Sequence, residues 1–364
     1  MPEFDMQCFF DRVASYKMRT RAMIEEFKGL PIDSRHLFAP SNYWTTSIEN
    51  FRYLWALPEE HFLRLDVHLF HFTGLTPYVY LSDRNEEFRL LSGIDQLCRD
   101  LPIEYVINEP IGNTAFEYND GRRLTWDTVR RQRIIWSLYH AGALTAPSSA
   151  PQNRRIILEI GAGYGGLAYH LSRIVGDTTY IIVDLPESLL FSSSYLSLHA
   201  PDKKLFLYDP DDQPNKPLVE LLRGDYDFIL LPNYRLSLIA DLHTDLVINI
   251  ASMQEMRTDQ VAAYLDFIQS TKPTAFYSRN KDRQPGNVEL VNLSDMIKAR
   301  FNVQELKQQE PDAPRSTLKA LARDLLPPIA WRSARSVLEK LGLRAVFGLR
   351  LSQRTTHEYI ARHL

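Results

Sequence analysis

Residues 157–171 read ILEIGAGYGGLAYHL: an apolar run, a glycine cluster, then apolar positions at helical spacing. Gly161, Gly163 and Gly166 fall in the pattern G-x-G-x-x-G. There the chain turns tightly and bare backbone approaches a nucleotide-like group that a Cβ would hold off. Asp184 ends a second apolar run, YIIVD, 21 residues after Gly163. A carboxylate at that place accepts hydrogen bonds from ribose hydroxyls. Hydride transfer from a dinucleotide and methyl transfer from S-adenosylmethionine (SAM) both use these features, so they do not discriminate. Glu159, two residues before the turn, does. A dinucleotide brings a pyrophosphate here, which a carboxylate repels. SAM brings an ammonium and a sulfonium, which it attracts.

Three stretches carry a resemblance. LEIGAGYGGLA, followed by VDLPE at 183–187, resembles the first motif of the class I SAM-dependent methyltransferases. More narrowly, EPIGNT (109–114) and NIASMQEM (249–256) are similar to segments of the sugar O-methyltransferases of bacterial surface-glycan and natural-product clusters. Thr114 stands where that family usually has proline. The resemblance spans roughly residues 105–280. It implies Gly161, Ala162 and Gly163 along the methionine part of SAM, Glu159 near its ammonium, Asp184 on the ribose and Leu185 against the adenine. For the adenine edge two segments compete: LFLYDPDD with Asp209, and FILLPNY with Pro232 and Asn233, which the family pattern favours. Asn249 and Ser252 are assigned to the cofactor side as well.

The chemistry expected is in-line displacement, in which a sugar hydroxyl attacks the sulfonium methyl while a base removes its proton. In this fold the acceptor meets the methyl at the carboxyl ends of the strands, where NIASMQEM lies. Glu255 is the candidate base or acceptor ligand, with Gln254 beside it; the alternative for Glu255 is a carboxylate complementing the dipole of the following helix. Tyr234, Tyr277 and Asn280 follow strand ends, and Glu109 and Asn113 belong to EPIGNT; all five are candidate acceptor contacts. His170, His199 and His243 have no evident partner. His68 and His71 lack a third ligand at zinc spacing, and Asp209, Asp211 and Asp212 sit together rather than on separate strand ends, so no metal is expected.

Elements must hold these residues in place. Before them the chain reads as helical over 1–27, 48–72, 84–100 and 126–142, with loop at 30–47 and turn-rich sequence at 102–125. ALTAPSSAPQN (143–153) is a linker. Strands follow at 155–161, 178–186, 204–209, 228–232, 245–252 and 274–280, alternating with helices at 166–175, 187–200 and 258–270. Apolar strands alternating with helices predict an α/β, doubly wound, Rossmann-like, mostly parallel sheet with an N-terminal, mainly helical cap. The expected parts are a cap or substrate domain over 1–145, a SAM domain over 150–312 and a basic, helical C-terminal extension over 313–364.

Composition narrows the classes further. Apolar residues make up 45% of the 364 and charged ones 24%, enough for a sizeable core. A net charge of −3 argues against a nucleic-acid partner, and the strand ends LPNY and NIAS do not match amino-methylating enzymes of DNA. Cys8 and Cys98 form neither a metal pattern nor a disulfide framework; with no basic, apolar leader and no apolar run near ~20 residues, the expected location is cytoplasmic. The segment from Arg315 holds ten Lys or Arg against three acids, so either a solvated helix or peripheral contact with an anionic membrane is expected there, and a homo-oligomer stays open. The reading is a SAM-dependent O-methyltransferase of a sugar or glycan in polysaccharide biosynthesis, with S-adenosylhomocysteine (SAH) as product. The alternatives are methylation of a non-sugar small molecule, an inactive SAM-binding partner, and a dehydrogenase.

Overall fold

The structure, a computed structural model, describes residues 4–69, 72, 94–95, 97–110, 116–117, 121–144, 154–211, 226–240, 242–284, 287–306 and 356–363. The expected helix over 84–100 lies mostly outside these residues. So do the linker from 145, residues 111–114 of EPIGNT with Asn113, Asp212, His71, and the basic segment up to 355.

Before the sheet come α1 (Met6–Gly29), α2 (Ile32–Phe38), α3 (Asn42–Glu49) and α4 (Trp126–His140). α1 starts at an Asp5 cap, whose carboxylate accepts from the Cys8 N–H at 3.0 Å. The stretch expected as loop at 30–47 is thus largely helical. Its helices are too short to show a period of their own and are held by docking. Gln260 Nε2 donates to the carbonyls of Leu37 (2.9 Å) and Ala39 (2.7 Å), and Asn233 Nδ2 to that of Phe38 (2.8 Å). Residues 48–72, expected as one helix, form tight 3-10 turns at Arg52–Trp55 and Glu59–His68 instead.

The sheet strands are β1 (Arg155–Ile160), β2 (Thr178–Asp184), β3 (Leu205–Leu207), β4 (Phe228–Pro232), β5 (Leu246–Ile250), β6 (Ala275–Lys281), β7 (Phe301–Glu305) and β8 (Thr356–His363). They lie in the order β3-β4-β2-β1-β5-β6-β8-β7. The first six pair in parallel; β8 runs antiparallel to both β6 and β7. β1 and β4 are buried along their whole length, and β2 and β5 at all but their last residue, as strands covered on both faces must be. Between them run α5 (Gly166–Ile174), α6 (Pro186–His199) and α7 (Thr258–Ser270), with α8 (Leu293–Lys298) after β6. This is the doubly wound, Rossmann-like sheet with a helical N-terminal region that the alternation predicts.

α6 is buried on nearly all sides, including Ser192, Ser193 and Ser194, because α1 packs over it. Tyr16 of α1 and Ser197 of α6 share a buried hydrogen bond of 2.8 Å. One correction concerns the C-terminus. Residues 356–363, expected within a basic helical extension, are an interior strand with Tyr359, Ile360 and Ala361 buried. Glu358 on this strand accepts from the Tyr277 hydroxyl at 2.8 Å, fixing β8 against β6. Among the described residues, no helix is long and apolar enough to cross a membrane.

Candidate active site

The strand order reverses between β1 and β5, which lie side by side with their connections leaving in opposite directions. A crevice opens at the carboxyl ends there, as it does in open α/β sheets generally. In this chain it is a cavity of about 280 Å³. Its floor is the glycine turn after β1: Gly161, Ala162, Gly163 and Tyr164. Gly161 (φ 76°) and Gly163 (φ 59°) hold left-handed backbone that L side chains rarely adopt. A Cβ on Gly161 would run into the Ser252 side chain, with Ser252 Cβ at 2.5 Å; one on Gly163 would meet the Phe72 ring at 3.1 Å. Ala251, just beyond β5, also has positive φ (53°), a rare state for a residue with a side chain, and lines the cavity with Ile250 and Ser252.

Asp184, at the end of β2, faces this floor. One carboxyl oxygen accepts from the Gly163 N–H (2.8 Å), the other from the Leu185 N–H (2.7 Å). Burial pushes Asp184 up to about 6 despite these two donors. On the far wall, in the turn Met253–Glu255, Glu255 accepts from the indole Nε1 of Trp44 at 2.8 Å. Burial pushes it up to about 8, against the hydrogen bonds of Trp44 and Gln254 and the charge of Lys281. Asp184 and Glu255 are the charged side chains among the described residues lining the cavity; no Lys, Arg or His joins them. The remaining wall mixes aliphatic and small polar residues with three aromatic rings, Trp44, Phe72 and Tyr264.

The expected site residues divide into two groups. Gly161, Ala162, Gly163, Asp184, Leu185, Asn233, Ser252 and Glu255 come together on the cavity. The other described ones do not line it. Glu159 lies behind the wall, because side chains alternate along a strand and its neighbour Ile160 takes the cavity side. Its carboxyl accepts from the Tyr180 hydroxyl at 2.7 Å and is pushed up to about 7 by burial. Pro232 pairs with Asp184 in the sheet and leaves the cavity to Asn233. Asn249 is buried and joins elements: its Nδ2 donates to the Ile160 carbonyl (2.8 Å), and its Oδ1 accepts from Asn280 (2.9 Å). Gln254 holds the loop after β6 through Gln284 (2.9 Å) and the Lys281 N–H (2.8 Å).

The acceptor-side expectations are corrected more thoroughly. Tyr234 turns onto α1, donating to Glu26 (2.7 Å) and the Met23 carbonyl (2.9 Å). Tyr277 lies in the sheet core against Glu358, and the Asn280 Nδ2 donates to Asn249 and Ser278. Glu109 is buried in an ion pair with Arg131, which also contacts the Tyr164 hydroxyl. Asp209 pairs with Arg19 of α1 at 3.1 Å, away from the cavity. His170 and His199 are buried off the cavity and pushed down to about 3 and about 4 by burial. Among the described residues no three His, Cys, Asp or Glu are grouped to hold a metal.

Sequence reasoning missed Trp44, Phe72, Tyr164, Gln260 and Tyr264. Gln260 and Tyr264 stand four apart on α7 directly after NIASMQEM, so helical spacing placed both on one face. Trp44 carried no such signal.

No protein-family model and no curated protein sequence matches the chain. Among solved structures it is similar to a cyclopropane-fatty-acyl-phospholipid synthase-like protein from Lactobacillus casei, with 16% identity over 66% of this chain and 93% of that one (TM-score 0.34). A structure described as an antibiotic-related methyltransferase is 13% identical over 63% and 94% (TM-score 0.29). Phosphoethanolamine N-methyltransferase 2 of Haemonchus contortus, in complex with SAH, is 12% identical over 62% and 52% (TM-score 0.31). Likenesses of this size leave the assignment to the chain's own residues.

Proposed function

We propose that the chain is a SAM-dependent O-methyltransferase acting on a hydroxyl of a sugar or glycan. The observation that carries this reading is the charge of the cavity. A glycine-floored crevice at the strand reversal suits a nucleotide-like group, and its charged side chains are two carboxyls with no described cation. A pyrophosphate would be repelled there, whereas an ammonium and a sulfonium would be attracted. The turn also fits: Gly161 and Gly163 hold left-handed backbone on the cavity, with Ser252 and Phe72 packed where a Cβ would stand.

When bound, SAM supplies an electrophilic methyl on a sulfonium. The residues' own tasks follow from their positions. Gly161–Gly163 would offer backbone to the amino-acid part, Asp184 would accept from ribose hydroxyls, and Leu185 and Asn233 would flank the base. Glu255, ionised, accepts the proton of the attacking hydroxyl. A base whose pKa lies near working pH is suited to that step, which typically contributes ~10²–10⁴-fold. The aromatic walls exclude water and give flat faces for an acceptor ring. Those faces equally suit an aromatic aglycone, which is the second reading. No nucleic acid enters this reading, and peripheral contact of the basic C-terminal segment from Arg315 with an anionic membrane belongs to the same proposal.

The test is SAH formation from SAM across two acceptor panels: methyl glycosides with nucleotide sugars, and phenolic aglycones. Turnover on the first panel supports the sugar reading; turnover only on the second replaces it. SAH bound tightly with no turnover on either panel favours a binding protein.

A further inference from the structure

Trp44 and Glu255 stand 211 residues apart in the chain, yet the indole N–H donates to a carboxyl oxygen of Glu255 at 2.8 Å. Both side chains line the cavity. An indole N–H can only donate, so this bond holds one oxygen of the carboxyl in a fixed place. The ring itself is braced by Phe51 and Phe72, each with its centroid 6.3 Å away. α3 in turn follows α2, whose end is tied to α7 through Gln260. The N-terminal segment therefore supplies part of the site wall and a direct bond to its candidate base.

We propose that Trp44 is a positioning residue of this site: its N–H holds the Glu255 carboxyl on the cavity in the orientation from which it takes the acceptor proton. The proposal rests on the reading of Glu255 given above. The groups facing Glu255 are Gln254 on its own turn, Lys281 on β6, Asp184 on β2 and Trp44 on α3, with Gln260 and Tyr264 of α7 on the same cavity. Burial pushes Glu255 up further than Asp184, and Glu255→Gln removes its part of any pH response.

The test needs no acceptor. Tryptophan emission is followed from about pH 6 to about pH 10 in the full chain, in Trp44→Phe and in Glu255→Gln. The part of the emission lost in Trp44→Phe is Trp44's own. It should change with a midpoint near pH 8 in the wild type and stay flat in Glu255→Gln. Emission from Trp44 that ignores pH, or that titrates unchanged in Glu255→Gln, would overturn the proposal. The pH dependence of SAH affinity in Trp44→Phe supplies the second arm. Its upper part should move to higher pH than in the wild type, because the ionised carboxyl loses a donor. A pH profile unchanged from the wild type would count against the proposal. If the wild type binds no SAH while the emission still titrates with Glu255, the cofactor reading fails and the Trp44–Glu255 coupling stands.

Discussion

At the scale of single residues, the site is marked by two cavity carboxyls, Asp184 and Glu255, and one behind its wall, Glu159, whose ionisation burial shifts upward. Asp184, Glu159 and Glu255 are pushed up to about 6, about 7 and about 8. Their unfolded values lie near 4, so this contribution to stability is fully present below about pH 4, falls as pH rises from there and is lost above 6 to 8. A cationic ligand reverses the preference, because it interacts favourably only with the ionised forms. Binding of SAH, whose ammonium is charged at neutral pH, is therefore expected to release protons and to tighten between about pH 6 and pH 8. Calorimetry at one pH in buffers of different ionisation enthalpy measures the released protons; an enthalpy independent of buffer would contradict this. Glu255→Gln should remove the upper part of the pH dependence. The glycine turn, Asp184 and Glu255 were legible in the sequence because backbone freedom and acid position are local properties. The orientation of Glu159 was not, since one residue of strand register decides which face it takes.

Elements bring the distant residues together, and there the sequence was less readable. The parallel strands announced themselves as apolar runs, and α5, α6 and α7 as the periodic segments between them. β8 did not, because a short buried run beside a basic segment has no pattern until its neighbours are known. α2 and α3 were missed for the related reason that their stability comes from docking onto α7 and the turn at Glu255. Glu109 was placed at the acceptor by motif, whereas the structure sets it on Arg131 of α4. Arg131 also contacts Tyr164 of the glycine turn, whose hydroxyl donates to Asp127 at 3.0 Å. α4 thus braces the cofactor turn from behind. Arg131→Met should leave the buried Glu109 carboxyl with the Thr125 and Thr128 hydroxyls but without its cation, and cost roughly 3–5 kcal/mol of stability. Denaturant unfolding measures this, and the double variant with Glu109→Gln should recover much of the loss. A loss below about 1 kcal/mol would mean that the pair is no brace.

On the scale of the whole molecule, the fold presents one acid-lined crevice at the reversal of a parallel sheet, roofed partly by the N-terminal helices. The chain's net charge of −3 does not by itself choose a ligand; the local charge of the crevice does. That choice, a sulfonium cofactor over a dinucleotide, is decided most directly by calorimetric titration of the purified chain with SAH and, separately, with NADH. Binding of SAH in the micromolar range is expected, with no heat from NADH. Gly161→Ala should weaken SAH binding about tenfold or more, since its Cβ meets Ser252 and its backbone is left-handed. Binding of NADH with none of SAH would contradict the methyl-transfer reading at its base.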